Sequence, residues 1–114
     1  MDDQPRSAAL DIVESVRRMF KPYADKITAV FIFGSVARGT DTPRSDIDLM
    51  IIGELNYDTV YTITYEAGIE LRRQVSPVLI SPEDWRREAS MPRSFIGKVR
   101  ASPKVFVIGA EEDL

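Results

Sequence analysis

Apolar residues recur at Leu10, Ile12, Val13, Val16, Met19 and Phe20, the spacing of one helix face, until Pro22 ends the pattern. The rhythm then changes. Ile27 to Phe33 (ITAVFIF) is an unbroken β-branched and aromatic run stopped by Gly34, which predicts a strand buried on both faces. Val36 to Gly39 reads as a short helical turn, and Thr40 to Ser45, rich in Thr, Asp, Pro and Ser, reads as a loop. Asp46 to Ile52 (DIDLMII) is a second strand, closed by Gly53.

The next segment predicts a helix capped by Asp58 and running to Leu71 or Arg73, in spite of its β-branched content and the internal Gly68, which costs about 1 kcal/mol relative to alanine. Gln74 to Ile80 (QVSPVLI) is a third strand, and Pro77, having no N–H, assigns it to an edge or a bulge. Ser81 followed by Pro82, Glu83 and Asp84 is a helix start, a further short helix covers Ser94 to Ala101, and Val105 to Ile108 is the last strand. Residues 1–6 are polar and expected to be loose. The order contains no repeat, no low-complexity segment and no long linker, so the expectation is one α+β domain over residues 1–114: a single mixed sheet of about four strands with helices packed against it.

Composition narrows the chemistry. The 114 residues are 44% hydrophobic and 29% charged, ordinary for a folded globular chain. With no cysteine, disulfides and thiolate zinc sites are excluded, and with no histidine, so are a Ser/His/Asp hydrolase and a histidine base. A metal would need oxygen ligands, which suits Mg²⁺ or Mn²⁺. No apolar run approaches the roughly 20 residues needed to cross a bilayer, and the acidic Met1-Asp2-Asp3 start is unlike a secretory signal, so a cytoplasmic location without membrane contact is expected. The net charge of −3 offers no broad cationic surface, and basic groups such as Arg17 and Arg18 or Arg72 and Arg73 read mostly as solvated helix faces. Without a helix-turn-helix pattern either, direct nucleic-acid binding is not expected.

Two features carry candidate chemistry. The buried strand ending at Phe33 runs straight into Gly34-Ser35 and a helical turn bearing Arg38 and Gly39. N–H groups at a helix start favour anions, and glycine lets a phosphate approach the main chain. The second feature is Asp46 and Asp48. One residue apart on a strand, they emerge on the same face with Cα atoms roughly 6.5 Å apart and can converge on one cation. A phosphate-binding turn and a carboxylate pair joined by a loop are the halves of a nucleotide-plus-metal site.

Residues 34–52, GSVARGTDTPRSDIDLMII, resemble the motif of the minimal nucleotidyltransferases, a prokaryotic branch of the DNA polymerase β-like superfamily: Gly34, Ser35, Arg38, Gly39, Ser45, Asp46 and Asp48 fall in order between two strands. The resemblance implies a nucleotidyltransferase-like fold in which Gly34 and Ser35 hold the β- and γ-phosphates of a nucleoside triphosphate, with ATP the leading choice. Arg38 and Ser45 would assist, while Asp46 and Asp48, the catalytic pair, would ligate Mg²⁺ or Mn²⁺. It further implies transfer of a nucleoside monophosphate to an acceptor hydroxyl with loss of pyrophosphate, as in antitoxin-type members that modify a partner protein, a HEPN-type toxin or another protein being the partner implied. Active members carry a third acid on the next core strand. Here Gln74 to Ile80 contains none, and Ser76 and Pro77 stand in its place. Glu66, Glu70 and Asp84 fall on predicted helices with no spacing that aims them at the site. Two functional expectations follow: a working transferase, or a weak or inactive nucleotide- or partner-binding module acting as an antitoxin or regulator. The edge positions at Pro77 and in Val105 to Ile108 would suit an oligomer or be covered by the chain's own helices.

Overall fold

The computed structural model describes residues 5–114, with side chains from Leu10 onward. Four of the six residues expected to be loose thus lie outside the described residues, and Pro5 and Arg6 open helix α1 (Pro5–Phe20), a position that suits proline because the first N–H of a helix has no partner. A 3₁₀ segment, Lys21–Lys26, leads into β1 (Ile27–Phe33). There follow the one-turn helix α2 (Ser35–Arg38), β2 (Ile47–Gly53), α3 (Tyr57–Leu71), β3 (Val75–Ile80), α4 (Pro82–Ala89), α5 (Phe95–Ala101) and β4 (Val105–Ile108).

The strands form one mixed sheet in the order β3-β2-β1-β4, with β1 antiparallel to both neighbours and β2 parallel to β3. The parallel step is made by α3, since parallel neighbours need a crossover. Side chains alternate between two cores. Val30, Ile32, Ile47, Leu49 and Ile51 pack with Val16 and Phe20 of α1 and Val60 and Ala67 of α3. Ala29, Phe31, Met50 and Ile52 face the other way, onto Trp85 of α4 and Ile96 and Val99 of α5. The two central strands are therefore buried on both faces, as their unbroken apolar runs predict. β3 is an edge strand, which accommodates Pro77.

Local chemistry sets the helix ends, and α3 differs from expectation. Its cap is Asn56, whose Oδ1 accepts from the Asp58 N–H at 2.7 Å. Asp58 instead lies in the first turn, where its charge favours the positive end of the helix. Ser81 caps α4 as expected, accepting from the Asp84 N–H at 3.1 Å, and Ser94 caps α5 by accepting from Gly97 N–H at 2.9 Å. None of the described helices is long and apolar enough to cross a membrane.

Candidate functional site

The site lies where β1 ends and β2 and β3 begin. Gly34 has φ 76° and ψ −151°, a backbone conformation essentially confined to glycine, and a Cβ there would overlap the Asp48 carboxylate. Two constraints thus fix one residue: the chain must turn sharply out of β1, and Asp48 must pack against that turn. The first intrahelical bond of α2 runs from the Arg38 N–H to the Gly34 carbonyl at 3.0 Å. The N–H groups of Ser35, Val36 and Ala37 precede it and have no partner within the helix, leaving three donors at the mouth of the turn.

Asp48 lies within β2 opposite Phe33, while Asp46 sits one residue ahead of the strand instead of inside it. Both keep the predicted common side. Asp46 is exposed and Asp48 half-buried. Burial, and after it the negative charge of Asp46, pushes the Asp48 carboxyl above its ordinary range, with the Arg38 guanidinium acting in the opposite direction. Two mutually repelling oxygen donors, one partly desolvated, fit a hard divalent cation, which would relieve both penalties. Among the described residues no group of three acidic side chains converges, so the donor set is a pair.

The reason lies on β3. Ser76 is in register with Asp48, and its Oγ donates to Asp46 Oδ2 at 3.4 Å, so a serine occupies the place beside the carboxylate pair. Two of the helix acids are engaged elsewhere. Glu70 accepts from Ser15 at 2.7 Å and pairs with Arg18, contacts that, Ser15 first, hold its carboxyl below the usual range; Asp84 pairs with Arg87 at 2.9 Å.

Of the expected phosphate-side residues, Gly34, Ser35 and Arg38 surround the turn, and Ser45 organises the loop. Its Oγ accepts from the Thr42 N–H at 2.9 Å, and its carbonyl receives the Arg73 guanidinium at 2.9 and 3.1 Å. Arg73 also pairs with Asp41 at 3.0 Å, and its side chain is only 12% exposed. This tether was not legible in the sequence, where Arg73 reads as half of a solvated Arg-Arg pair. No local spacing announces a contact between residues 28 positions apart. Arg17 stays exposed as expected while its Nε donates to the Val107 carbonyl at 2.9 Å, whereas the Lys104 side chain is only 6% exposed, with its ammonium over the Phe31 ring at 5.9 Å. A groove of about 610 Å³ between α3 and β3, lined by Tyr61, Tyr65, Ile69, Arg72 and Pro77, adjoins the carboxylates only at Ser76.

Comparison with known proteins bears on the family and the fold. The family described as "Polymerase beta, Nucleotidyltransferase" matches residues 14–100. Two proteins of Methanocaldococcus jannaschii are similar in sequence. "Putative protein adenylyltransferase MJ1305" is 30% identical over 95 residues, 74% of this chain and 60% of that protein; "Putative protein adenylyltransferase MJ0604" is 41% identical over 72 residues, 63% and 72% respectively. The chain therefore spans about three-fifths of the longer match. In fold it is similar to a toxin–antitoxin crystallised with AMP-PNP (TM-score 0.63, 16% identity, 89% of this chain and 76% of that one). It is also similar to a complex of tri-AMPylated Shewanella oneidensis HEPN toxin with MNT antitoxin (TM-score 0.56, 14% identity, 96% and 76%). With a family match over most of its length and the glycine turn and carboxylate pair in place, the chain belongs to the polymerase β nucleotidyltransferase family and has the fold of its minimal members.

Proposed function

We propose that this protein binds a divalent-metal nucleoside triphosphate, ATP first among them, and transfers the adenylyl group to a hydroxyl of a protein partner, slowly because its metal site has two carboxylates. The observation that carries the reading is the packing of the Asp48 carboxylate against Gly34, which sets metal donors directly beside a turn of free N–H groups. The names of the similar adenylyltransferases, and of the solved complexes with AMP-PNP and with an AMPylated HEPN toxin, point to the same nucleotide and class of acceptor.

In this reading the Ser35, Val36 and Ala37 N–H groups donate to phosphate oxygens, Arg38 adds a charge-assisted donor, and Asp46 and Asp48 hold Mg²⁺ or Mn²⁺. The bound cation neutralises charge on the triphosphate. Asp46 is exposed and so faces the side from which an acceptor arrives. A serine at β3 is a poor ligand for a hard dication and a poor proton acceptor, which lowers turnover without removing binding. Ser76 favours a second reading as well, a nucleotide-loaded antitoxin or regulator that does not turn over.

The binding claim is tested by thermal melting. Mg²⁺ with ATP should raise Tm, and the Asp46→Asn, Asp48→Asn double variant should lose the rise; an equal rise in the variant refutes the assignment. Labelled ATP with the cognate partner separates the readings, since label on the partner that depends on Asp46 establishes transfer and its absence supports the regulator.

A further inference from the structure

A chain of aromatic rings leads from the core to the wall of the site. Trp85 packs edge-on against Phe31 at 5.9 Å, Phe31 against Phe33 at 6.4 Å, and Phe33 against Phe95 at 6.1 Å with the planes at 69°. The first three lie in or against the sheet core under α4 and α5, whereas Phe95 is 55% exposed. Phe33 is the direct cross-strand partner of Asp48, so the two side chains stand side by side on one face. The Phe95 ring is thus one aromatic contact removed from the cross-strand neighbour of Asp48.

Phe95 is also held in place. It is the first residue of α5, and the preceding Ser94 is locked from both sides: its Oγ shares its one proton between the Glu88 and Met91 carbonyls at 2.9 and 2.8 Å and accepts from the Gly97 N–H. Gly97 is pressed onto the Met91 carbonyl so closely that any Cβ would collide with it. An exposed phenylalanine forgoes part of the stabilisation that burial of such a ring provides. A rigid first turn that presents the ring beside the site is suited to stacking, because little ordering remains to be done on binding.

From this juxtaposition we propose that Phe95, backed by Phe33, is the stacking platform for the nucleobase. The proposal rests on the reading of the site as a nucleotide site and adds to it a subsite for the base. A hydrocarbon ring stacks on any purine or pyrimidine without reading its hydrogen-bonding edge, so this contact gives affinity for a nucleoside with weak discrimination among bases.

The test separates the base from the phosphates by titrating the full chain, in Mg²⁺, with ATP and with inorganic tripolyphosphate, which has no base. Phe95→Ala should weaken ATP binding about tenfold and leave tripolyphosphate binding unchanged, and Phe95→Tyr should restore ATP binding. Circular dichroism checks that the alanine variant is folded. Equal losses for both ligands, or no loss for ATP, would overturn the platform and leave the phosphate and metal assignment standing, the second outcome turning Phe95 toward protein docking. A wild-type chain that binds neither ligand would overturn the nucleotide reading itself.

Discussion

On the β1–β2 side of the site a glycine-only turn presents free N–H groups with the Asp48 carboxylate packed against it, whereas on the β3 side the residue in register with Asp48 is a serine and Arg73, just ahead of the strand, is spent on holding a loop. On the first side, burial and the charge of Asp46 push the Asp48 carboxyl above its ordinary range, a cost that a bound cation would relieve in the proposed reading. The second is already satisfied by the protein's own groups. If the proposed function holds, binding and turnover are separable in this fold, one resting on the β1–β2 motif and the other on a strand that arrives only after the α3 crossover.

Four substitutions break or sharpen the contrast, in order of expected effect. Gly34→Ala attacks the ligand-facing side at its tightest point: a positive φ combined with overlap on Asp48 should cost about 3 kcal/mol in urea unfolding and abolish the ATP-dependent rise in Tm. A stable variant that still binds ATP would remove the turn from the site. Arg73→Ala attacks the self-satisfied side. It leaves Asp41 and the Ser45 carbonyl unpaired, for a loss of about 2 kcal/mol, and loosens residues 40–46, which hydrogen exchange would register; unchanged exchange there would show that the tether does not order the loop.

Ser76→Asp turns the second side into the first. A third carboxylate beside Asp46 should lower Tm without metal through like-charge repulsion and raise Mg²⁺ affinity about tenfold, with turnover increasing in step. A lower Tm that Mg²⁺ fails to recover would mean that β3 does not face the cation. The smallest effect is that of Asp48→Asn on the metal-free protein. Because the folded state raises the Asp48 pKa above 3.8, this group disfavours folding increasingly as pH rises through the interval above that value. The variant should therefore match or slightly exceed wild type in stability at pH 7, and the difference should vanish as pH falls below 3.8. A variant less stable at pH 7 would show that the charge is already compensated.

The parts legible in the sequence were those whose physics is local. ITAVFIF announces a doubly buried strand because burial on both faces leaves no alternation, Pro77 announces an edge or a bulge because it lacks a donor, and Ser81 announces a helix start because its hydroxyl can cap the first turn. The Gly34-Ser35 turn and the Asp46/Asp48 pair are equally compact in sequence, and the resemblance to the family that they carry is matched by a family model over residues 14–100. What escaped depends on distance. Arg73 meets Ser45 across 28 residues, and the Phe33–Phe95 contact spans the whole middle of the chain. The Asn56 cap was missed for a different reason, since Asn56 and Asp58 are both good caps and only the fold decides which residue is left extended.

Trp85 is the chain's one tryptophan, 2% exposed, with no hydrogen-bond partner for its indole nitrogen. An indole in so apolar a setting emits at short wavelength and shifts to the red once water reaches it, which gives the second core its own optical signal. Because the α1 and α3 side contains no tryptophan, a loss of packing confined to that face would leave the emission blue while helical signal falls. The two layers of this small protein can thus be followed separately with light and no label.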